Sequence, residues 1–77
     1  MLREDLLIIQ YSGSPGGFGV FVINSDKLTS TLDVLKNGLK ECVGSSVIID
    51  IHEAREDECG IIKQGNLIET KRFEYKF

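Results

Sequence analysis

Two short apolar runs, residues 6–11 and 18–23, limit the folds open to this chain more than any other feature. Their length and their content of isoleucine, valine and aromatic residues favour strands over helices. Successive side chains of a strand lie on opposite faces of its sheet, and both runs place apolar residues on both faces. The sequence therefore predicts two strands of one sheet that are covered on either side.

A glycine-rich segment, residues 13–19, contains the turn between these strands and the only proline of the chain. The turn is short enough for the two strands to pair antiparallel. A phosphate-binding loop needs a lysine followed by serine or threonine and a helix behind its glycines, whereas a strand follows here. We interpret the segment as a hairpin loop, with a loop for a small ligand or nucleotide as the alternative. The candidate ligand-binding residues of that alternative are Gly13, Ser14, Gly16 and Gly17.

A leucine stripe then predicts one amphipathic helix, from about residue 28 to about residue 42. Its apolar residues recur at steps of four and three, which places them on one helical face. They are Leu28, Leu32, Leu35, Leu39 and Cys42. We expect Leu32 and Leu35, near the middle of the stripe, to be core residues.

The second half of the chain predicts three more strands. They cover residues 47–52, 59–64 and 67–77. Gly65-Asn66 favours a two-residue hairpin turn that pairs Gln64 with Leu67. The order is then ββαβββ, which indicates a single small α+β domain over the whole chain, with one helix packed on one face of a mostly antiparallel sheet. One helix cannot cover both faces of five strands, so we expect the second face to be polar or to meet a partner.

The formal net charge of −3 is unevenly distributed, because residues 50–58 contain five acids and one base and alone carry −4. We predict residues 53–58 as a solvated loop, the usual state of a charge run, with docking to a basic partner surface as the alternative. The candidate partner-binding residues of this segment are Glu53, Glu56, Asp57 and Glu58. A slightly acidic chain makes nucleic-acid binding unfavourable, since phosphate binding needs a clustered positive field.

The C-terminal segment alternates charged with aromatic residues, so that Phe73, Tyr75 and Phe77 share one face of the predicted last strand. Such residues are commonly half-buried in a core. The predicted hairpin, however, places Phe73 opposite Glu58, where the strand outruns its neighbour. We therefore expect these aromatic residues to bind a partner, in the first place a second copy of the chain. A weaker alternative, stacking on single-stranded nucleic acid, would use Lys71, Arg72, Tyr75 and Lys76.

The sequence contains no motif for catalysis or metal binding. His52 is the only histidine, and one histidine beside scattered acids lacks the several nitrogen or sulfur ligands typical of zinc sites. Cys42 lies on the helical stripe as a small hydrophobe, and Cys59 follows acidic residues that oppose formation of a reactive thiolate. We therefore expect no enzymatic activity, no metal and no cofactor.

The absence of any run of about 18 apolar residues and of a signal-peptide pattern predicts a cytoplasmic protein with reduced cysteines and no membrane contact. The sequence thus favours a small non-enzymatic protein-binding or regulatory module, of the inhibitor or adaptor type, that forms a homodimer and contacts another protein. In size and format it resembles the accessory proteins that phages and other mobile elements encode, although no motif carries that resemblance.

Overall fold

The computed structural model of this protein describes residues 1–15, 17–38 and 44–74. The strands of this part are β1 (Leu2–Pro15), β2 (Phe18–Asn24), β3 (Gly44–Glu56) and β4 (Ile62–Glu74). They form one antiparallel sheet in the order β2-β1-β3-β4. A short 3-10 turn, Ser25–Lys27, leads from β2 into the helix α1, Leu28–Gly38. The predicted α+β fold with one helix is confirmed.

The core lies between α1 and one face of the sheet. Its fully buried side chains come from the two central strands and are Ile9, Val47, Ile49 and Ile51. Leu28, Leu32 and Leu35 pack against this cluster, as the leucine stripe predicts. Leu32 and Leu35 are only partly buried, because the sheet residues fill the centre of the core and α1 borders it. The predicted end of the helix, residues 39–42, lies outside the described residues.

The acidic segment belongs to the sheet as far as Glu56, so the predicted loop over residues 53–58 is wrong. β3 reaches this far because β1 begins at Leu2 and supplies a partner strand. The Glu56 N–H donates to the Met1 carbonyl at 2.8 Å, and Arg3 Nη1 lies 2.7 Å from Glu56 Oε1. A charge run that favours a loop on local grounds is therefore paired with a segment far away in sequence.

The last two predicted strands form one strand, so the sheet has four strands in the described chain. The predicted hairpin turn at Gly65-Asn66 is wrong, because the chain passes through this dipeptide inside β4. β4 carries one extra residue at each of two bulges, one on either side of Leu67. A Cβ at Gly65 would lie only 3.1 Å from side-chain atoms of β3, so this glycine fits a close approach within the sheet.

Tyr11 and Gly19 form a matched pair across β1 and β2. A Cβ at Gly19 would lie 2.6 Å from the Tyr11 ring, so only glycine leaves room for the ring in its present position. The same ring contacts Phe21 with a centroid separation of 6.4 Å and an interplanar angle of 57°. The small residue in one strand thus lets the aromatic residue of the next pack along the sheet.

Replacing Ile49 with alanine should lower the free energy of unfolding by about 2–5 kcal/mol, because the change leaves a cavity among fully buried side chains. Ile48→Ala is the matched control, since Ile48 lies one residue earlier in β3, on the opposite face, and is only partly buried. Urea titration measures both losses, and the Ile48 loss should be smaller. Equal losses would contradict a core on the α1 side of the sheet.

Replacing Gly19 with alanine should lower the free energy of unfolding by about 1–3 kcal/mol, because the new methyl group displaces the Tyr11 ring from its packing position. Gly38→Ala should be neutral or slightly stabilising, since a Cβ there meets nothing within 4 Å and alanine favours a helix. Thermal and urea unfolding compare the two variants. A Gly19→Ala protein as stable as Gly38→Ala would exclude the Tyr11 contact.

Candidate functional site

Strand β2 forms one edge of the sheet, with β1 as its only neighbouring strand in the described chain. Its side chains alternate between two environments. Phe21 and Ile23 pack against the core, whereas Phe18, Val20 and Val22 are 83%, 60% and 48% exposed. Because successive side chains of a strand point to opposite faces, these three residues form an exposed apolar row on the face away from α1.

The backbone groups of the same row point away from the sheet. The Gly13 N–H donates to the Gly17 carbonyl at 2.8 Å, which makes these two residues a hydrogen-bonded pair of the β1–β2 ladder. Hydrogen-bonded and non-hydrogen-bonded pairs alternate, so the odd-numbered residues of β2 bond to β1. The N–H and C=O groups of Phe18, Val20 and Val22 therefore face outward, where the described residues provide no further strand.

The apolar surface continues around this edge onto the helix side. Val34 of α1 is 69% exposed and lines a shallow groove of about 250 Å³ together with Phe21 and Leu35. We define the β2 edge surface as Phe18, Val20, Phe21, Val22 and Val34. Residues 18–23 include no proline and no charged residue.

The opposite edge of the sheet, β4, is protected against strand addition. Its charged residues are Lys63, Glu69, Lys71, Arg72 and Glu74. Lys71 Nζ lies 3.0 Å from Glu69 Oε1, and Arg72 Nε lies 3.6 Å from Glu74 Oε1. Charged side chains and bulges both hinder pairing with another strand. β4 also exposes Leu67 and Ile68, but both lie at its bulges. The two edges of the sheet therefore differ in chemistry, and β2 is the less protected one.

A second groove, of about 260 Å³, lies on the face of the sheet away from α1. Val20 and Val22 line it from β2, and Ile62 and Gln64 line it from β4. These strands are at opposite edges of the sheet, so the sheet must curl to bring them to one groove. The curl also covers Ile8, which is only 5% exposed between them.

A polar cluster on β1, β3 and β4 lies beside this groove. Gln64 Nε2 is 3.0 Å from His52 Nε2 and 3.5 Å from Gln10 Oε1. His52 Nδ1 is 3.4 Å from the Gly65 carbonyl, which can only accept a hydrogen bond. Both ring nitrogens of His52 therefore have hydrogen-bond partners within the chain.

Most of the acidic candidates for partner binding have intramolecular partners. Glu53 Oε2 lies 3.2 Å from Arg55 Nη2, and Glu56 pairs with Arg3 as described above. Glu58 is exposed and has no ion pair within the described residues. The segment is thus less negative to an approaching protein than its composition indicates, because cationic side chains lie against it.

Asp57 organises the turn between β3 and β4. Its Oδ1 accepts hydrogen bonds from the Cys59 N–H at 2.9 Å and the Ile61 N–H at 3.0 Å, while Oδ2 lies 3.4 Å from Lys63 Nζ. The hydrogen bond from Ile61 is the largest reason why the pKa of Asp57 lies below its ordinary value. Gly60 completes the turn with a φ of 83°, a conformation that favours glycine.

Phe73 is the one aromatic candidate within the described residues. The others, Tyr75 and Phe77, lie outside them. The predicted overhang of the last strand is wrong for the described part, because β4 pairs with β3 throughout and Phe73 lies opposite Val47 rather than Glu58. Phe73 packs against the core, and Lys36 Nζ lies 5.3 Å from its ring centroid.

The glycine-rich segment forms a hairpin between β1 and β2. Gly17 has a φ of 104°, which favours glycine at this turn. The Gly13 N–H already donates to Gly17, so this donor is used within the hairpin. Gly16 and the side chain of Ser14 lie outside the described part of the chain.

The sequence indicates an apolar second face, but the partner contacts predicted from it involve the acidic and C-terminal residues. The β2 edge surface is not among those predicted sites. The available signal was the lack of charge and proline in residues 18–23, in contrast to the charge-rich last strand. Whether a strand lies at an edge depends on strand order, which local sequence does not give.

No protein-family model, no curated protein and no solved structure matches this chain. No helix among the described residues is long and apolar enough to cross a membrane. In the same ranges, no group of three or more histidine, cysteine, aspartate and glutamate side chains is placed to hold a metal ion. The geometry of the β2 edge surface is therefore the basis for a function of this chain.

The turn held by Asp57 should make stability depend on acid pH. The pKa of Asp57 is lowered by folding, so its charged form stabilises the protein fully above the ordinary aspartate pKa of about 3.9, and this contribution is lost as pH falls through the folded-state value. Asp57→Asn retains an acceptor but no charge, so its urea midpoint should lie below that of wild type at neutral pH. This difference should shrink on acidification, because wild type then loses the charge as well. Glu58→Gln, one residue away, should show no such trend. A constant Asp57→Asn deficit would contradict the assigned role.

Proposed function

We propose that this chain is a small non-enzymatic protein-binding module, of the inhibitor or adaptor type, that pairs with an extended segment of a partner polypeptide at the β2 edge. One observation carries the proposal. Phe18, Val20 and Val22 combine exposed apolar side chains with outward-facing backbone groups in a strand without charge or proline.

Strand addition uses both features of this edge. Main-chain hydrogen bonds to the added strand supply affinity, and contacts to alternate side chains supply specificity. Fully burying a valine or phenylalanine side chain contributes about 1.5–3 kcal/mol, and the row offers part of that for each of its three residues. An open apolar edge is otherwise a site of uncontrolled pairing, which natural proteins normally block as β4 is blocked.

The shifted pKa values of the two aspartates, Asp5 and Asp57, are explained by contacts that stabilise the fold. The hydrogen bond and charge of Arg3 lower the pKa of Asp5, and the turn lowers that of Asp57. Both groups are accessible to solvent, and both shifts have structural causes. Catalytic groups are more often shifted by desolvation in a cleft together with a specific charge partner.

The proposed location of the module is the cytoplasm. Cys59 is a free, exposed cysteine in the turn between β3 and β4. Reducing compartments maintain exposed thiols, whereas oxidising ones tend to convert them to disulfides. This supports the location that the sequence indicates.

A displayed library of random peptides tests the proposed site. The protein should be immobilised sparsely, so that its copies cannot pair with one another. We expect enriched peptides to alternate apolar residues and to lose binding at least tenfold to Val20→Lys, which places a charge on the edge. Ile61→Lys is the matched control. The exposed fraction of Ile61, 58%, is similar to that of Val20, but Ile61 lies in the turn before β4. Absence of enrichment, or equal binding to both variants, would overturn the proposal.

A further inference from the structure

We infer that the strand which occupies the β2 edge belongs to a second copy of this chain, so that two sheets join into one of eight strands about a two-fold axis at Val20. The inference deepens the proposed function and rests on it, because it uses the same edge. It differs from the contact expected from sequence, which involved the C-terminal aromatic residues.

The outward-facing backbone groups of β2 are self-complementary about Val20. In an antiparallel pairing centred there, Val20 faces Val20 of the partner subunit, and Phe18 faces Val22 of the partner subunit. Each such pair exchanges two hydrogen bonds, so three pairs provide about six. The three residues involved, Phe18, Val20 and Val22, are even-numbered. The even-numbered residues of β2 are those whose N–H and C=O groups point away from β1.

Side-chain matching favours this register over its neighbours. With the axis at Val20, every exposed apolar residue of the row meets another apolar residue, and aromatic residues pair well with β-branched ones across strands. Moving the axis to Phe21 would place Phe18 opposite Asn24. Moving it to Gly19 would leave Val22 without a facing residue, because β2 begins at Phe18. Of these three registers, only the one centred on Val20 gives each of Phe18, Val20 and Val22 an apolar partner.

The helix side of the edge fits the same occupant. A two-fold axis normal to the sheet keeps both helices on one face of the joined sheet, so Phe21 and Val34 of each copy border the same seam. Val34 is 69% exposed in the single chain. Apolar surface thus lies on both sides of the outward-facing backbone groups. This is expected where the occupant is the edge of a folded domain rather than a flexible tail.

Charge and size also favour a second copy. Each chain carries a formal net charge of −3, but residues 18–23 are uncharged, so the seam opposes no like charges. The buried hydrophobic residues of the described chain number only six. Small domains with few core residues commonly gain stability by oligomerisation.

Analytical ultracentrifugation tests the association with the full chain. We expect a dimer whose dissociation constant rises at least tenfold in Val20→Lys and stays within threefold of wild type in Ile61→Lys. Far-ultraviolet circular dichroism and the urea midpoint should show that both variants are folded. A wild-type protein that remains monomeric up to about 1 mM would overturn the second copy as occupant. Peptide binding at the edge would then still uphold the proposed function, so the two failures are distinguishable.

Amide hydrogen exchange identifies the edge involved. The amides of Phe18, Val20 and Val22 should exchange more slowly in concentrated than in dilute protein, because pairing protects them. Those of Phe21 and Ile23 should change less, since they already bond to β1. A dimer that leaves the first three amides unprotected would place the interface elsewhere and refute the inference.

Cysteine cross-linking tests the register, in a background with both native cysteines changed to serine. Val20→Cys should form a disulfide-linked dimer under mild oxidation, because facing residues of a hydrogen-bonded pair lie about 5.5 Å apart at Cα, within disulfide range. Val22→Cys should not link to itself. In this register Val22 and Val22 of the partner subunit are offset by four residues along the strands, which is about 13 Å. Efficient linking of Val22→Cys alone would refute the Val20 axis.

Discussion

Within the described residues, a single helix of 11 residues has to cover a sheet whose longest strands contain 13 and 14 residues. The helix is about 16 Å long, whereas a strand of 14 residues extends for about 45 Å. The cluster of large, fully buried side chains is accordingly confined to the part of the sheet that α1 and its flanking residues reach. Beyond the reach of α1, the sheet is either held by polar contacts, as near the turn between β3 and β4, or left open, as at the β2 edge.

At the end of the sheet that carries the turn between β3 and β4, polar contacts maintain the strand pairing. Arg3 bonds to both Asp5 and Glu56, with its Nη2 lying 2.8 Å from Asp5 Oδ2, and thereby joins β1 to β3. Partly exposed ion pairs contribute little stability individually. Their geometric effect is larger, because they fix which residues of β1 and β3 face each other where few large apolar side chains set the register.

This end of the sheet also shows why local sequence patterns predict the first two strands and the helix but not the second half of the sheet. The leucine stripe and the two apolar runs are local patterns, and the described part of each lies inside α1, β1 or β2. β1 is longer than its apolar run at both ends. The acidic segment and Gly65-Asn66 carry equally clear local signals for a loop and a turn. In the acidic segment, Glu56 is paired with Arg3, which is 53 residues away in sequence. Gly65-Asn66 lies inside β4, which pairs with β3 on both sides of the dipeptide. Contacts at such separation leave no periodic signal.

The candidate site was half predictable for the same reason. That residues 18–23 are apolar on both faces is visible in the sequence, and it correctly indicates a surface that α1 cannot cover. That these residues form an edge follows only from the order β2-β1-β3-β4. Edge position changes the meaning of the pattern, because an apolar central strand contributes to a core, whereas an apolar edge strand also presents unpaired backbone groups.

The asymmetry between the two edges is the strongest argument that β2 is open for a purpose. Selection against uncontrolled pairing acts on both edges alike, and β4 carries the charges and bulges that this selection favours. A single lysine on the outward row of β2 would give the same protection without disturbing the core, because Val20 and Val22 point away from α1. Its absence from all of residues 18–23 is readily understood if a strand normally covers this edge, since a charge there would be buried without a partner.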